Sequence, residues 1–101
     1  LDTGHVLSGF AGDVDLYSVV DRILPRLAQV HLHDAPQWRP GTPIVYGKDH
    51  QPLGAGNLDV GRLLDQLAKA DFKGPLIFEL EVHEAVSSLH VLHQLRPNLF
   101  A

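Results

Sequence analysis

Between Asp15 and Leu27 the apolar positions are Leu16, Val19, Val20, Ile23, Leu24 and Leu27, the spacing of one helical face. Asp13 or Asp15 is placed to cap this helix, and Pro25, which has no amide hydrogen, should end or kink it. Gln29–His33 alternates, with Val30 and Leu32 on one side and His31 and His33 on the other, which predicts a short strand. A second helix is predicted from about Asp59, its N-cap, to Asp71, with Leu63, Leu64 and Leu67 as its buried stripe and Gly74 after its end. Pro75–Glu81 opens with a continuous apolar run, the pattern of a parallel strand buried on both faces. The final helix is predicted over His83–Leu95, with Val86, Leu89, Leu92 and Leu95 facing inward.

Residues 34–58 interrupt this alternation with a long stretch rich in proline and glycine. Loops of that length are uncommon in compact domains unless they serve a site. Strands alternating with helices imply parallel βαβ units and an α/β fold. The first polar cluster, Asp2 to His5, is read as the end of another strand, so the expected architecture is three consecutive βα units within a single domain over residues 1–101. Three strands alone would leave two unpaired sheet edges. Self-association, or a missing N-terminal part of the sheet, is therefore expected to cover them.

The chain of 101 residues is 45% hydrophobic, enough for a packed core. Its net charge of −4, with no basic stripe, argues against nucleic acid as a partner. No apolar run approaches the ~20 residues of a membrane span. The absence of cysteine excludes disulfides and thiolate metal sites and fits a cytoplasmic protein. The chain contains no methionine and begins as if in mid-element, which reads as a fragment or a processed product.

Seven histidines change the picture. The polar residues that break the apolar pattern fall at strand ends: Asp2 and His5, then His31 and Asp34, then Glu79. In α/β proteins the carboxyl ends of parallel strands form the active face. Carboxylates neutralise the charge of a divalent cation there, and imidazoles favour Zn, Mn, Co or Fe over Ca. The competing readings are structural. On these readings Glu79 serves a salt bridge, His31 is a satisfied strand end and Asp34 a turn cap, while Asp2 and His5 form a solvated terminal turn. His50 is read either as an exposed loop residue or as a contact to substrate or metal. Gly54 and Gly56 serve turns; His83, His90 and His93 lie on a solvated helix face, with a peripheral metal pair at His90 and His93 as the alternative; Trp38 and Arg39 either pack the loop or contact substrate.

Four motifs in order carry a resemblance. Leu1-Asp2-Thr3-Gly4-His5 resembles a D-x-x-H segment, and Val30–Ala35 (VHLHDA) a following strand with a ligand histidine. His50–Asp59 (HQPLGAGNLD) resembles an H-x-x-x-G-x-G loop, and Lys73–Glu81 (KGPLIFELE) a last strand ending in a ligand glutamate. Together they resemble the C-terminal part of the xylose isomerase-like TIM barrels, the superfamily of sugar-phosphate isomerases and epimerases and of AP endonuclease family 2. The resemblance implies the sixth to eighth βα units of a (β/α)8 barrel. It implies a divalent metal (Zn, Mn, Co or Mg) on Asp2, His5, His31 and Glu79, and Glu79 as the catalytic acid/base that moves a proton beside a metal-polarised carbonyl. A sugar or polyol is the implied substrate, with His50, Asp34 and His33 as candidate contacts.

The phosphodiesterase branch of the superfamily uses D-x-H in the long loop. Here Lys48-Asp49-His50 keeps the histidine and displaces the aspartate by one, which argues against a full three-metal site. The family also uses a metal-binding glutamate on an earlier strand that these residues do not contain. A complete barrel has about 250 residues. The isolated chain is therefore expected to be inactive, and a non-catalytic, self-associating module is the third reading.

Overall fold

A computed structural model describes residues 1–99. In chain order the elements are α1 (Thr3–Leu7), α2 (Leu16–Ile23), a 3-10 turn (Leu24–Arg26), β1 (Val30–Leu32), α3 (Val60–Lys69), β2 (Leu76–Phe78) and α4 (Val82–Leu95). The helix starts follow the capping chemistry in the sequence. Asp15 Oδ2 accepts from both the amide and the hydroxyl of Ser18, each at 2.9 Å, and Asp59 Oδ1 accepts from Arg62 N at 3.1 Å. Pro25 sits in the 3-10 turn that closes α2. Glu81 and Glu84 form a reciprocal capping box at the start of α4.

β1 and β2 pair in parallel with Val30 opposite Leu76, His31 opposite Ile77 and Leu32 opposite Phe78. The expected third strand is reduced to an isolated parallel bridge between Asp2 and His31, with His31 N donating to Leu1 O at 2.7 Å. Among the described residues Leu1 and Asp2 run beside β1 and make one bridge rather than a ladder. The described sheet therefore has two strands.

The core lies on one side of this sheet. Val30 and Leu32 are fully buried against Leu16 and Val20 of α2, Leu63, Leu64 and Leu67 of α3, and Leu92 of α4, with Leu76 and Phe78 packed against the group. Truncating a leucine such as Leu63 to alanine would cost about 2–5 kcal/mol.

Two packing expectations are corrected. β2 is not buried on both faces: Ile77, on the face opposite the core, is 38% exposed. On α4 only Ser88 and Leu92 are buried, while Val86, Leu89 and Leu95 are exposed. The cause is the same in both cases. Among the described residues no element covers the sheet face that carries Ile77 or the second apolar line of α4.

The long loop contains no helix or strand, as expected, yet it is held at many points. Asp34 and Gln51 exchange backbone hydrogen bonds at 2.7 and 3.0 Å. Leu53 N donates to the buried Ser88 hydroxyl at 3.0 Å, tying the loop to α4. Among the described residues, no helix is long and apolar enough to cross a membrane.

Candidate metal centre

The parallel register explains the first cluster. Side chains alternate along a strand, so Ile77 and Glu79 share the face opposite the core, and His31 lies beside Ile77 on β1. The Asp2–His31 bridge brings Asp2 to the other flank of His31. The donor atoms of Asp2, His31 and Glu79 thus lie within 4.8 Å of one another, and His31 Nδ1 is in contact with Glu79 Oε1. All three residues are partly exposed, so the cluster is open to a ligand.

A second group, also within 4.8 Å, is formed by His5, His33 and His50. The rings of His33 and His50 stack at 4.3 Å with 5° between their planes, and the His5 ring stands nearly perpendicular to both. Asp2 joins the two groups: its Oδ1 lies 2.5 Å from His33 Nε2 and its Oδ2 lies 3.1 Å from His5 Nδ1. Glu79 Oε2 lies 3.6 Å from His50 Nδ1. The set expected from the sequence is therefore split, with Asp2, His31 and Glu79 together and His5 among the other histidines.

Local hydrogen bonds fix His33 in one tautomer. The backbone N–H of His50 donates to His33 Nδ1 at 2.8 Å, so Nδ1 is an acceptor and the proton resides on Nε2, which donates to Asp2. Burial lowers the His33 pKa below its ordinary value, against the opposing pull of the Asp2 charge, and so keeps the ring neutral. The same His50 amide holds that residue at φ 57°, in the left-handed region that non-glycine residues rarely occupy.

Thr3 and Gly4 make this placement possible. Thr3 Oγ1 donates to His33 O at 2.7 Å and accepts from His33 N at 3.1 Å. A Cβ on Gly4 would collide with the His33 ring.

Asp49 was not among the expected site residues. Its Oδ2 lies 2.8 Å from His5 Nε2 and 3.3 Å from His50 Nε2, so it links α1 to the long loop across the histidine group. The D-x-H spacing missed it because here the aspartate stands next to the histidine rather than two residues before it.

Asp34, read from the sequence either as a turn cap or as a substrate contact, organises the loop. It is fully buried, with Oδ1 accepting from Ala35 N and Leu58 N at 2.8 Å each and Oδ2 accepting from Gly54 N at 3.0 Å. His83, His90 and His93 lie on exposed positions of α4. His83 groups with Glu81 and Glu84, but these are the cap of α4 and its neighbours at the surface.

A family model for the xylose isomerase-like TIM barrel matches residues 1–97. The chain belongs to that family. No curated protein matches it significantly.

For a xylose isomerase-like chain the metal dependence of the family can be tested against the donors present. Two carboxylates and an imidazole suit a divalent ion: the oxygens offset its charge, and the nitrogen favours a transition metal. Three protein donors also leave coordination positions for substrate oxygens. The residues fit the group.

Proposed function

We propose that this chain carries the metal-binding part of a divalent metal-dependent isomerase or epimerase acting on a sugar or related polyol. The observation that carries the reading is the convergence of Asp2, His31 and Glu79 at the ends of neighbouring parallel segments. When bound there, a divalent ion supplies Lewis-acid polarisation of a carbonyl oxygen. Glu79 presents Oε1 toward His31 and Oε2 toward His50; it would help to hold the ion and would act as the acid/base that moves a proton between neighbouring carbons. Asp2 is oriented by the His5 amide at 3.0 Å and by His33, which hold its carboxylate in place.

A second reading is favoured by one specific contact. The Asp49 carboxylate, facing both His5 and His50, forms a separate donor set that suits a second ion and hence phosphodiester hydrolysis. The weakly acidic chain, without a basic stripe, ranks it below isomerisation.

The test is metal titration of the purified chain, depleted of metal and loaded with Mn²⁺ or Zn²⁺. One ion per chain is expected, lost in H31A/E79A. Retention of a full equivalent by that double variant would sink the isomerase reading, whereas two equivalents in the parent chain would favour the phosphodiesterase. Turnover by the 101 residues alone is expected to be weak or absent, which is why the measurement reads metal rather than product.

A further inference from the structure

Thr3 is fully buried although it carries a hydroxyl, and the register of the chain around it shows what that hydroxyl is for. The residues before α1 run parallel to β1. Leu1 N donates to Gln29 O at 3.2 Å, and His31 N donates to Leu1 O at 2.7 Å. In a parallel ladder such bonds are evenly spaced and recur every second residue. The next acceptor should therefore be the main-chain carbonyl of residue 3, with His33 N as its donor.

Thr3 opens α1, so its carbonyl is turned along the helix axis and leaves the ladder. The side chain takes its place. Thr3 Oγ1 accepts from His33 N at 3.1 Å and donates to His33 O at 2.7 Å, with His31 O 3.3 Å away. One hydroxyl thus extends the pairing by a rung while the main chain departs into a helix. A valine would keep the shape and offer neither bond.

This substitution of side chain for backbone bears directly on Asp2. As the partner of His31, Asp2 belongs to an extended segment; as the N-cap of α1, it accepts from His5 N at 3.0 Å. Both roles require the chain to switch from strand to helix at the next residue. Without the hydroxyl, the switch would leave the His33 amide buried and unpaired. With it, the end of β1 is held against the segment that carries Asp2.

We propose that Thr3 is a positioning residue for the metal centre: its hydroxyl sets how Asp2 stands against His31 and His33, and through them the affinity for the ion. The proposal rests on the metal-dependent reading above. Thr3 itself offers nothing to the ion, because its oxygen is committed to His33.

Two measurements test it. Amide hydrogen exchange, followed by NMR on the metal-free parent chain, should find the His33 amide protected. Mn²⁺ titration is then run on T3V, T3A and T3S, each checked for folding by circular dichroism. T3V and T3A should bind Mn²⁺ about tenfold more weakly, the usual effect of removing an orienting partner. T3S, which restores the hydroxyl without the methyl, should return the parent affinity. V20A, a core truncation on α2, should lose stability and keep the parent affinity. The proposal is overturned by fast exchange at His33, by parent affinity in folded T3V, by a loss in T3S as large as in T3V, or by an equal loss in V20A, which would show that affinity merely follows stability. Failure of both T3V and T3A to fold would also overturn it, since the hydroxyl would then serve the fold alone. A parent chain that takes up no Mn²⁺ would instead overturn the metal-dependent reading, and protection of the His33 amide that is lost in T3V would still leave the hydroxyl its place in the ladder.

Discussion

His33 Nε2 donates to Asp2 Oδ1 at 2.5 Å, and this bond connects the residue before α1 with the residue after β1. The ring reaches Asp2 because Gly4 leaves room for it. G4A should therefore push the ring away even though alanine favours the helix. The expected cost is about 1–3 kcal/mol, with metal affinity falling because Asp2 loses its orienting donor. Urea denaturation and metal titration on the same sample check both. Unchanged metal affinity would show that His33 does not orient Asp2.

The Asp34 carboxylate satisfies three backbone amides while fully buried, so its removal leaves three donors without a partner. D34A should cost on the order of 3 kcal/mol and free the long loop, exposing it to proteolysis before the rest of the chain unfolds. Limited proteolysis followed by mass spectrometry should find the first cuts between residues 34 and 58. First cuts in α2 or α3 would count against this role.

Acid sensitivity should trace in part to Asp15. The Ser18 amide, and then its hydroxyl, hold the Asp15 carboxyl below its ordinary pKa of 3.8. A lowered folded-state pKa means that the unfolded chain binds the proton more tightly. The stabilisation is therefore present above the ordinary value and is lost as the pH falls through the folded one. D15A should lose about 1 kcal/mol at neutral pH. D15N, which caps equally well without titrating, should keep neutral stability and show a shallower fall in melting temperature on acidification from pH 5. An identical acid slope in D15N and the parent would refute the assignment.

Much of this was legible because local chemistry decides it. Asp15, Pro25 and Asp59 set their helix boundaries through caps and a missing amide, and these act within a few residues. Asp2, His31 and Glu79 could be placed because strand-end positions meet whenever parallel strands pair. His33 and Asp49 were harder to place. The role of His33 depends on Gly4, 29 residues earlier, and that of Asp49 on a contact with His5, 44 residues earlier, which local spacing does not announce. For Asp34 the sequence left a turn cap and a substrate contact both open, and only the path of the loop shows three amides converging on it. On α4 the apolar spacing correctly predicted a helix, but whether Val86 and Leu89 are covered depends on what lies beyond β2, which spacing cannot reveal.

The Asp49 contacts make the last prediction. If Asp49 only orients His5 and His50, D49A should weaken the ion at Asp2, His31 and Glu79 by about tenfold, the usual effect of removing an orienting partner, because His5 in turn contacts Asp2. E79A should abolish that ion altogether. If Asp49 instead helps to hold an ion of its own, calorimetric titration of the parent chain should show two binding events, and D49A should delete the weaker one while leaving the tighter nearly unchanged. The two outcomes differ in which event moves, so one titration series separates an orienting carboxylate from a ligand. Loss of the tighter event in D49A, to the extent seen in E79A, would contradict both and move the primary site toward the histidine group.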